Sequence, residues 1–407
     1  MVAGAVVTAC NADLTQEAAC PILCPQQNVE VRDTVFEAVS LDTMLTGVPS
    51  LGRETSLLLA QRGDSLETHV VLRFDSLATR VTIAGGDSAI SAIDSAYVQL
   101  LVNSADTKVT GPVRIDLFDV DTVAGDTTTA AVLALFRPDR LMGGATLDTN
   151  QVRDSIRVYF DNAKLLAKIT TNSRLRVGLR LTSVEGATLS LGSTDASQGA
   201  VLRYDPAPSD TGIKAVTITL RSDTPVTQLQ LAFDLFDYVV FAKVPPLPPA
   251  GILAIGGLPS RRSFLRFEVP ARLLDSATVL RATLFLTQAP NRGLDPTDSV
   301  LVLPQLVLAG EEVTDLTRAA GLISLSPVDT IRLAPGDSGL RPIEMVAAVS
   351  SWSVSVNPYR QQKAIVLRST VEGTDTFEAW FYSSEAAPEL RPRLRVSYAL
   401  RTNFGIP

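Results

Sequence analysis

At 407 residues, 46% hydrophobic and 19% charged, the chain has enough apolar surface for two ordinary domain cores and is too apolar to be a disordered polymer. A formal net charge of −7 and a pI near 5.0 exclude a phosphate-backbone partner, which needs clustered cations, so no nucleic acid is expected. One histidine, and three cysteines confined to the first 24 residues, leave no ligand set for transition-metal catalysis, and no metal or other cofactor is expected.

Residues 1–32 read as an N-terminal anchor and tether. Val7-Thr8-Ala9-Cys10 has the apolar, small, small, Cys order of a bacterial lipoprotein processing site, in which Cys10 becomes the diacylated N-terminus. Cys20 and Cys24 then remain as an even pair able to form a local disulfide in an oxidising compartment. From Thr34 onward the dominant signal is apolar/polar alternation over four to eight residues, broken by Gly, Pro, Asp and Ser clusters. It predicts strands over Thr68–Asp75, Ser95–Val102, Val113–Val120, Ser155–Phe160, Arg174–Thr182, Ala187–Leu191 and Ala200–Tyr204. One helix is predicted over Asn162–Ile169. A Pro/Asp/Ser/Gly cluster over Pro206–Gly212 marks a domain boundary. Beyond it the same pattern predicts strands over Lys214–Arg221, Val226–Phe236, Ser263–Val269, Thr278–Thr287, Ser299–Leu303, Asp329–Leu333, Lys363–Thr370, Asp375–Tyr382 and Arg393–Leu400. A second helix is predicted over Ile343–Trp352, with Met345, Val346, Val349 and Trp352 on one apolar face. Arginines in alternating runs, such as Arg174-Leu175-Arg176-Val177, are expected on solvated strand faces.

The two halves are copies. Leu179–Gly186, Ser193-Thr194-Asp195-Ala196 and Val201–Tyr204 recur as Val366–Gly373, Ser383-Ser384-Glu385-Ala386 and Leu394–Tyr398. Further upstream, Leu72-Arg73-Phe74 matches Leu265-Arg266-Phe267, and Val48-Pro49 matches Val244-Pro245. The expected fold is all-β: two tandem jelly-roll-like β-sandwich domains related by internal duplication, residues 33–208 and 209–403, each with one short helix.

Several motifs imitate active sites. Gly63-Asp64-Ser65-Leu66 resembles an esterase nucleophile block and Gly336-Asp337-Ser338-Gly339 a protease serine block. The sole histidine, His69, follows Ser65 within a strand, where successive residues alternate faces, so both blocks read as turns. Asp119, Asp121 and Asp126 are closely spaced loop acids without EF-hand spacing. Glu185 and Glu372 occupy equivalent Val-Glu-Gly corners. No catalytic residue is assigned, and the chain is not expected to be an enzyme.

The C-terminal half resembles the DNRLRE-type domains of bacterial secreted proteins and lipoproteins, some of which are classed as carbohydrate-binding modules. Leu265-Arg266-Phe267-Glu268, Ala282–Leu286, the helix ending at Trp352, Ser383-Ser384-Glu385 and Arg391–Tyr398 carry the resemblance. A second resemblance, of overall character, is to the membrane-extrinsic β-rich surface subunit of some bacterial photosynthetic reaction-centre and light-harvesting complexes. Two readings follow. In the first, the chain is a non-catalytic subunit, lipid-anchored at the periplasmic or cell-surface face and docked on an integral membrane protein complex. Tyr238, Phe241, Leu247, Ile252, Leu253 and Ile255, in an uncharged stretch from Tyr238 to Leu258 broken only by Lys243, are candidates for the contact patch, with the lining of the interdomain core as the equal alternative. In the second, it binds glycan through Trp380 and Tyr382, which alternation places on one strand face.

Overall fold

A computed structural model describes residues 31–83, 86–122, 128–207, 214–221, 231–291, 299–308, 312–324, 330–352 and 363–401. Cys10, Cys20, Cys24 and Asp126 lie outside them. The fold is mostly antiparallel strand, as the alternation predicts.

In the first sandwich, a larger sheet runs from Leu141–Leu147 through Val113–Asp119, Leu175–Ser183, Leu66–Phe74, Ser56–Arg62 and Ala187–Gly192 to Lys108–Val109. A four-stranded sheet packs on it, ordered Ser155–Tyr159, Ile93–Leu101, Val201–Pro206, Val216–Thr219. Val70, Leu72 and Phe74 from one layer meet Val98, Leu100 and Leu202 from the other in a single buried core. The predicted helix forms as Asn162–Thr170. The Asp161 carboxylate caps it, accepting from the Ala163 and Lys164 N–H groups, and Leu165 and Ile169 face the core.

The second sandwich repeats these pairings. The hairpin Ser56–Arg62/Leu66–Phe74 has its counterpart in Ile252–Gly256/Ser260–Phe267. Leu66–Phe74 lies beside Leu175–Ser183 as Ser260–Phe267 lies beside Lys363–Ser369. Ile93–Leu101 sits between Ser155–Tyr159 and Val201–Pro206 as Ala277–Ala289 sits between Gly339–Glu344 and Arg393–Leu400. The ladders place Val177 opposite Leu72 and Ile365 opposite Leu265. They therefore shift the strand match by one residue from the ungapped alignment on the Val-Glu-Gly corner. Here the two layers are also continuous, joined where Gln288 and Ala289 pair with Phe381 and Trp380.

Where each sandwich ends departs from the expected 208/209 boundary. The first is closed by Val216–Thr219 on Val201–Pro206 and by Asp237–Lys243 on Leu66–Phe74, all downstream of that boundary. The second is closed by Val31–Phe36 on Arg393–Leu400 and by Val39–Val48 on Ser260–Phe267, all upstream of it. The boundary separates the repeats of the sequence, while the sandwiches exchange their opening strands. We call Val31–Val48 the N-terminal arm and Val216–Lys243 the middle arm. The physical reason is the open edge. Without an arm, each layer presents a row of unpaired N–H and C=O groups, and an arm strand in each layer covers them.

Other expectations change with this arrangement. Short helices form at Thr129–Leu133, Leu231–Asp234, Ala271–Ser276 and Leu316–Gly321, besides Asn162–Thr170 and its counterpart Val346–Ser350. The first two lie against the outer face of the first larger sheet, where Val132, Leu231 and Leu235 pack with Val71 and Phe118. Of the strand expected over Val226–Phe236, Leu231–Asp234 is instead a helix. That cover also overturns the solvated placement of Arg176, which is fully buried: its guanidinium donates to the Val120 carbonyl at 3.2 Å and to the Tyr238 hydroxyl.

Both Val-Glu-Gly corners turn through a left-handed glycine, Gly186 at φ +82° and Gly373 at φ +76°. A Cβ on Gly373 would lie 2.2 Å from Cδ of Pro49, the first residue after the N-terminal arm. Gly373→Ala is therefore expected to lower stability by about 1–3 kcal/mol, read as a shift in the denaturant midpoint; an unchanged midpoint would contradict this packing of corner on arm.

Candidate functional site

The repeated Ser-x-x-Ala blocks hold the arms. Asp237 opens the strand Asp237–Lys243 and stands opposite Leu72; its Oδ2 accepts from the Thr194 N–H at 2.7 Å and its Oδ1 from the Thr194 hydroxyl at 2.6 Å. In the second sandwich Asp42 of the N-terminal arm stands opposite Leu265, the repeat equivalent of Leu72, and its Oδ2 accepts from the Ser384 N–H at 2.6 Å. Thr194 and Ser384 occupy the same place in Ser193-Thr194-Asp195-Ala196 and Ser383-Ser384-Glu385-Ala386. Each block is thus a receptor for one arm aspartate, with a charge-assisted bond as the latch. Sequence reasoning found the blocks and missed the aspartates, although both lie six or seven residues before the Val-Pro anchors.

Around the first latch, Glu54 is buried in the 49–55 linker. Its Oε1 accepts from the Val239 N–H at 3.4 Å, and its backbone carbonyl accepts from the Ser193 hydroxyl at 2.6 Å. Burial pushes its carboxyl up to about 8; the backbone donors pull it down and the charge of Asp237 raises it further. Burial also raises Asp237, against the Thr194 hydrogen bonds. Arg73 stacks on Phe236, its guanidinium carbon 3.8 Å from the ring centroid, and its backbone N–H donates to the Phe236 carbonyl at 2.7 Å. The middle arm is therefore fixed by Asp237, Tyr238 and Val239 in succession.

The residues expected to form an exposed contact patch do not form one. Tyr238, Leu253 and Ile255 are buried, and Phe241 and Ile252 are half-buried. Phe241 packs with Leu58, Ala60, Leu66 and Leu258, which places it between the two sandwiches. Leu247, 74% exposed, is the one member of the set facing solvent. The reason is periodicity: the uncharged stretch contains two strands, Asp237–Lys243 and Ile252–Gly256, with apolar contacts on both faces. Trp380 and Tyr382 do share a half-buried face, opposite the fully buried Phe381. The Trp380 indole N–H donates to Glu378 at 2.8 Å, and Glu378 in turn pairs with the buried Arg261 at 2.8 Å. Burial raises the Glu378 carboxyl, while Arg261 and the indole donor oppose that rise.

The motifs that imitate active sites have structural partners. Ser65 is exposed in a turn, its N–H donating to the Arg62 carbonyl at 3.1 Å, whereas His69 is buried and bonded to Glu67 at 3.0 Å. Asp337 closes a turn on Ala334. Asp119 is paired with Lys168 at 2.8 Å, and Asp121 accepts from the Arg174 guanidinium. Glu372 receives both arms of the Arg262 guanidinium at 2.7 and 2.6 Å. Among the described residues no group of three or more His, Cys, Asp or Glu could hold a metal ion, and no helix is long and apolar enough to cross a membrane. A cleft of about 400 Å³ lies between the sandwiches, lined by Asp106, Lys108 and Thr188 of the first and Arg332, Thr370 and Asp375 of the second; none of its lining side chains is aromatic.

No protein-family model and no curated protein matches the chain. Among solved structures it is similar, at 11% identity over 93% of its own length and 79% of the other's, to a chain in the structure of infectious bursal disease virus Gx strain, with a TM-score of 0.14. It is similar at 12% identity, over 92% of itself and 74% of the other, to a chain of infectious bursal virus derived T=1 particles, again with a TM-score of 0.14. Scores this low carry no structural inference.

A carboxyl that holds its proton more tightly in the folded state makes stability fall as pH rises from the ordinary Glu range near 4.5 to about 8, and level off above. Asp237 and Glu378, raised by burial, have the same sign, whereas His69, lowered by burial, has the opposite one. Comparison with Glu54→Gln isolates the one group, because the amide keeps an acceptor for Val239. The variant is expected to gain on the order of 3 kcal/mol relative to wild type between pH 5 and pH 8.5. Parallel stability–pH curves for the two proteins would contradict a buried, protonated Glu54.

Proposed function

We propose that the chain is a non-catalytic structural and interaction subunit, tethered through a lipid on Cys10 at the periplasmic or outer face of a membrane and docked on a larger integral membrane protein complex. The observation that carries this reading is the placement of the N-terminal arm. Val31–Val48 is built into the second sandwich, so whatever holds residues 1–30 holds a folded body and not a loose tail. The lipoprotein-like Val7-Thr8-Ala9-Cys10 run supplies the tether in this reading. The buried ionisable groups support it too. Arg176, Arg261, Glu54 and Asp237 are each engaged with a strand or an arm, an economy suited to holding shape. A photosynthetic reaction-centre and light-harvesting assembly is the complex suggested by resemblance.

Carbohydrate binding is the second reading. It draws on Trp380 and Tyr382, which share a half-buried face with the indole orientation set by Glu378.

Two preparations separate these readings. Native membranes solubilised in mild detergent are expected to yield the chain together with an integral membrane assembly, and Cys10→Ser is expected to release it into the soluble fraction with the assembly left behind. A wild-type chain recovered as a soluble, unacylated monomer would contradict the subunit reading. Retention on a glycan array that is lost in Trp380→Ala would favour the second.

A further inference from the structure

Each sandwich is completed by strands from the other repeat, and the two cases differ in how the arm is attached. The middle arm follows Val201–Pro206 directly and completes the sandwich it has just left. The N-terminal arm is joined through residues 49–55 to the first sandwich, yet it completes the second. Closure of the second sandwich is therefore made by non-covalent contacts across the whole length of the first.

We propose that the surface formed by Arg393–Leu400 and Ser260–Phe267 accepts the N-terminal arm of a second copy of this chain, giving a two-fold dimer in which the two arms are exchanged. Three features support it. The arm's strands do not pair with each other: Val31–Phe36 lies in one layer and Val39–Val48 in the other, so the acceptor supplies all of the arm's ladder. The contacts that select the arm are local to it and travel with it. Asp42 binds Ser384, Asp33 binds Arg395 and Ser397, and Phe36, Val39 and Met44 pack on the second core. The acceptor edges, once vacated, are bare backbone edges, which recruit strands.

An arm on a second copy makes the same bonds as the chain's own arm, so the choice between them is set by effective concentration. A linker as short as residues 49–55 holds the arm at a local concentration on the order of millimolar. Self-closure prevails in dilute solution, and exchange grows when copies fold close together. Because the arm must leave before another enters, a dimer once formed persists on dilution.

The test uses the full chain with Cys10, Cys20 and Cys24 replaced by Ser. One copy carries Val35→Cys and a second carries Arg395→Cys, positions that are direct partners across the ladder. The two are unfolded together, refolded over a range of concentrations and oxidised. An inter-chain disulfide joining the two variants, with a yield that rises at least several-fold with refolding concentration, is the expected result. Unlinked monomers at every concentration, while a single chain carrying both cysteines closes its own disulfide, would overturn the proposal. Should the cysteine variants fail to fold, the mass of the chain with Val35 and Arg395 intact decides. A dimer that appears only after concentrated refolding and survives dilution supports exchange, and a monomer under all conditions removes it.

Discussion

Strands that pack on a core need backbone partners along the edges they present, and here those edges are lined by arms that come from the other sequence repeat. One strand edge in each layer of each sandwich is lined by an arm strand. The chain covers these edges with two arms, each of which sends one strand to each layer. Everything distinctive about the molecule follows: its sequence repeats and its sandwiches have different boundaries, its linkers cross between the units, and both ends of the described chain lie side by side where Val31 pairs with Ala399.

Side-chain chemistry is arranged around the same requirement. A strand added at an edge gains its backbone bonds in any register, so something must choose the register. The arm aspartates do so, Asp237 opposite Leu72 and Asp42 opposite Leu265, each clasped by a Ser-x-x-Ala block. Arg176 adds a buried clasp on Tyr238, and Glu54 one on Val239. For the buried contacts of Asp237, Arg176 and Glu54, removing either partner leaves a polar group without water or bond, which costs more than the bond contributes when made. The arms are thereby specified as well as stabilised.

How much of this is legible in the sequence depends on whether the information is local. Alternation alone locates Val113–Asp119 and Arg393–Leu400, and helical spacing locates Asn162–Thr170, because apolar and polar residues alternate at the matching period over most of each. Asp237–Lys243 and Ile252–Gly256 escape this reading: with apolar neighbours on both faces they resemble an exposed patch, and Tyr238, Leu253 and Ile255 prove to be interior. Arg176 misleads in the opposite sense, since strand alternation cannot reveal that Leu231–Asp234 will fold over its face. The exchange is the least legible feature. Asp42 and Asp237 meet equivalent residues at equivalent register, Leu265 with Ser384 and Leu72 with Thr194, so the aspartate latches alone do not tell which arm goes to which sandwich.

The central claim is that each arm belongs structurally to the sandwich whose edge it covers. Native-state hydrogen exchange under mild denaturant tests it most directly, because segments that open together share a cooperative unit. Amides of Val39–Val48 are predicted to lose protection together with those of Ser260–Phe267 and Arg393–Leu400, and amides of Asp237–Lys243 together with those of Leu66–Phe74. Joint opening of Val39–Val48 with its sequence neighbour Ser56–Arg62, while Ser260–Phe267 stays protected, would contradict the account.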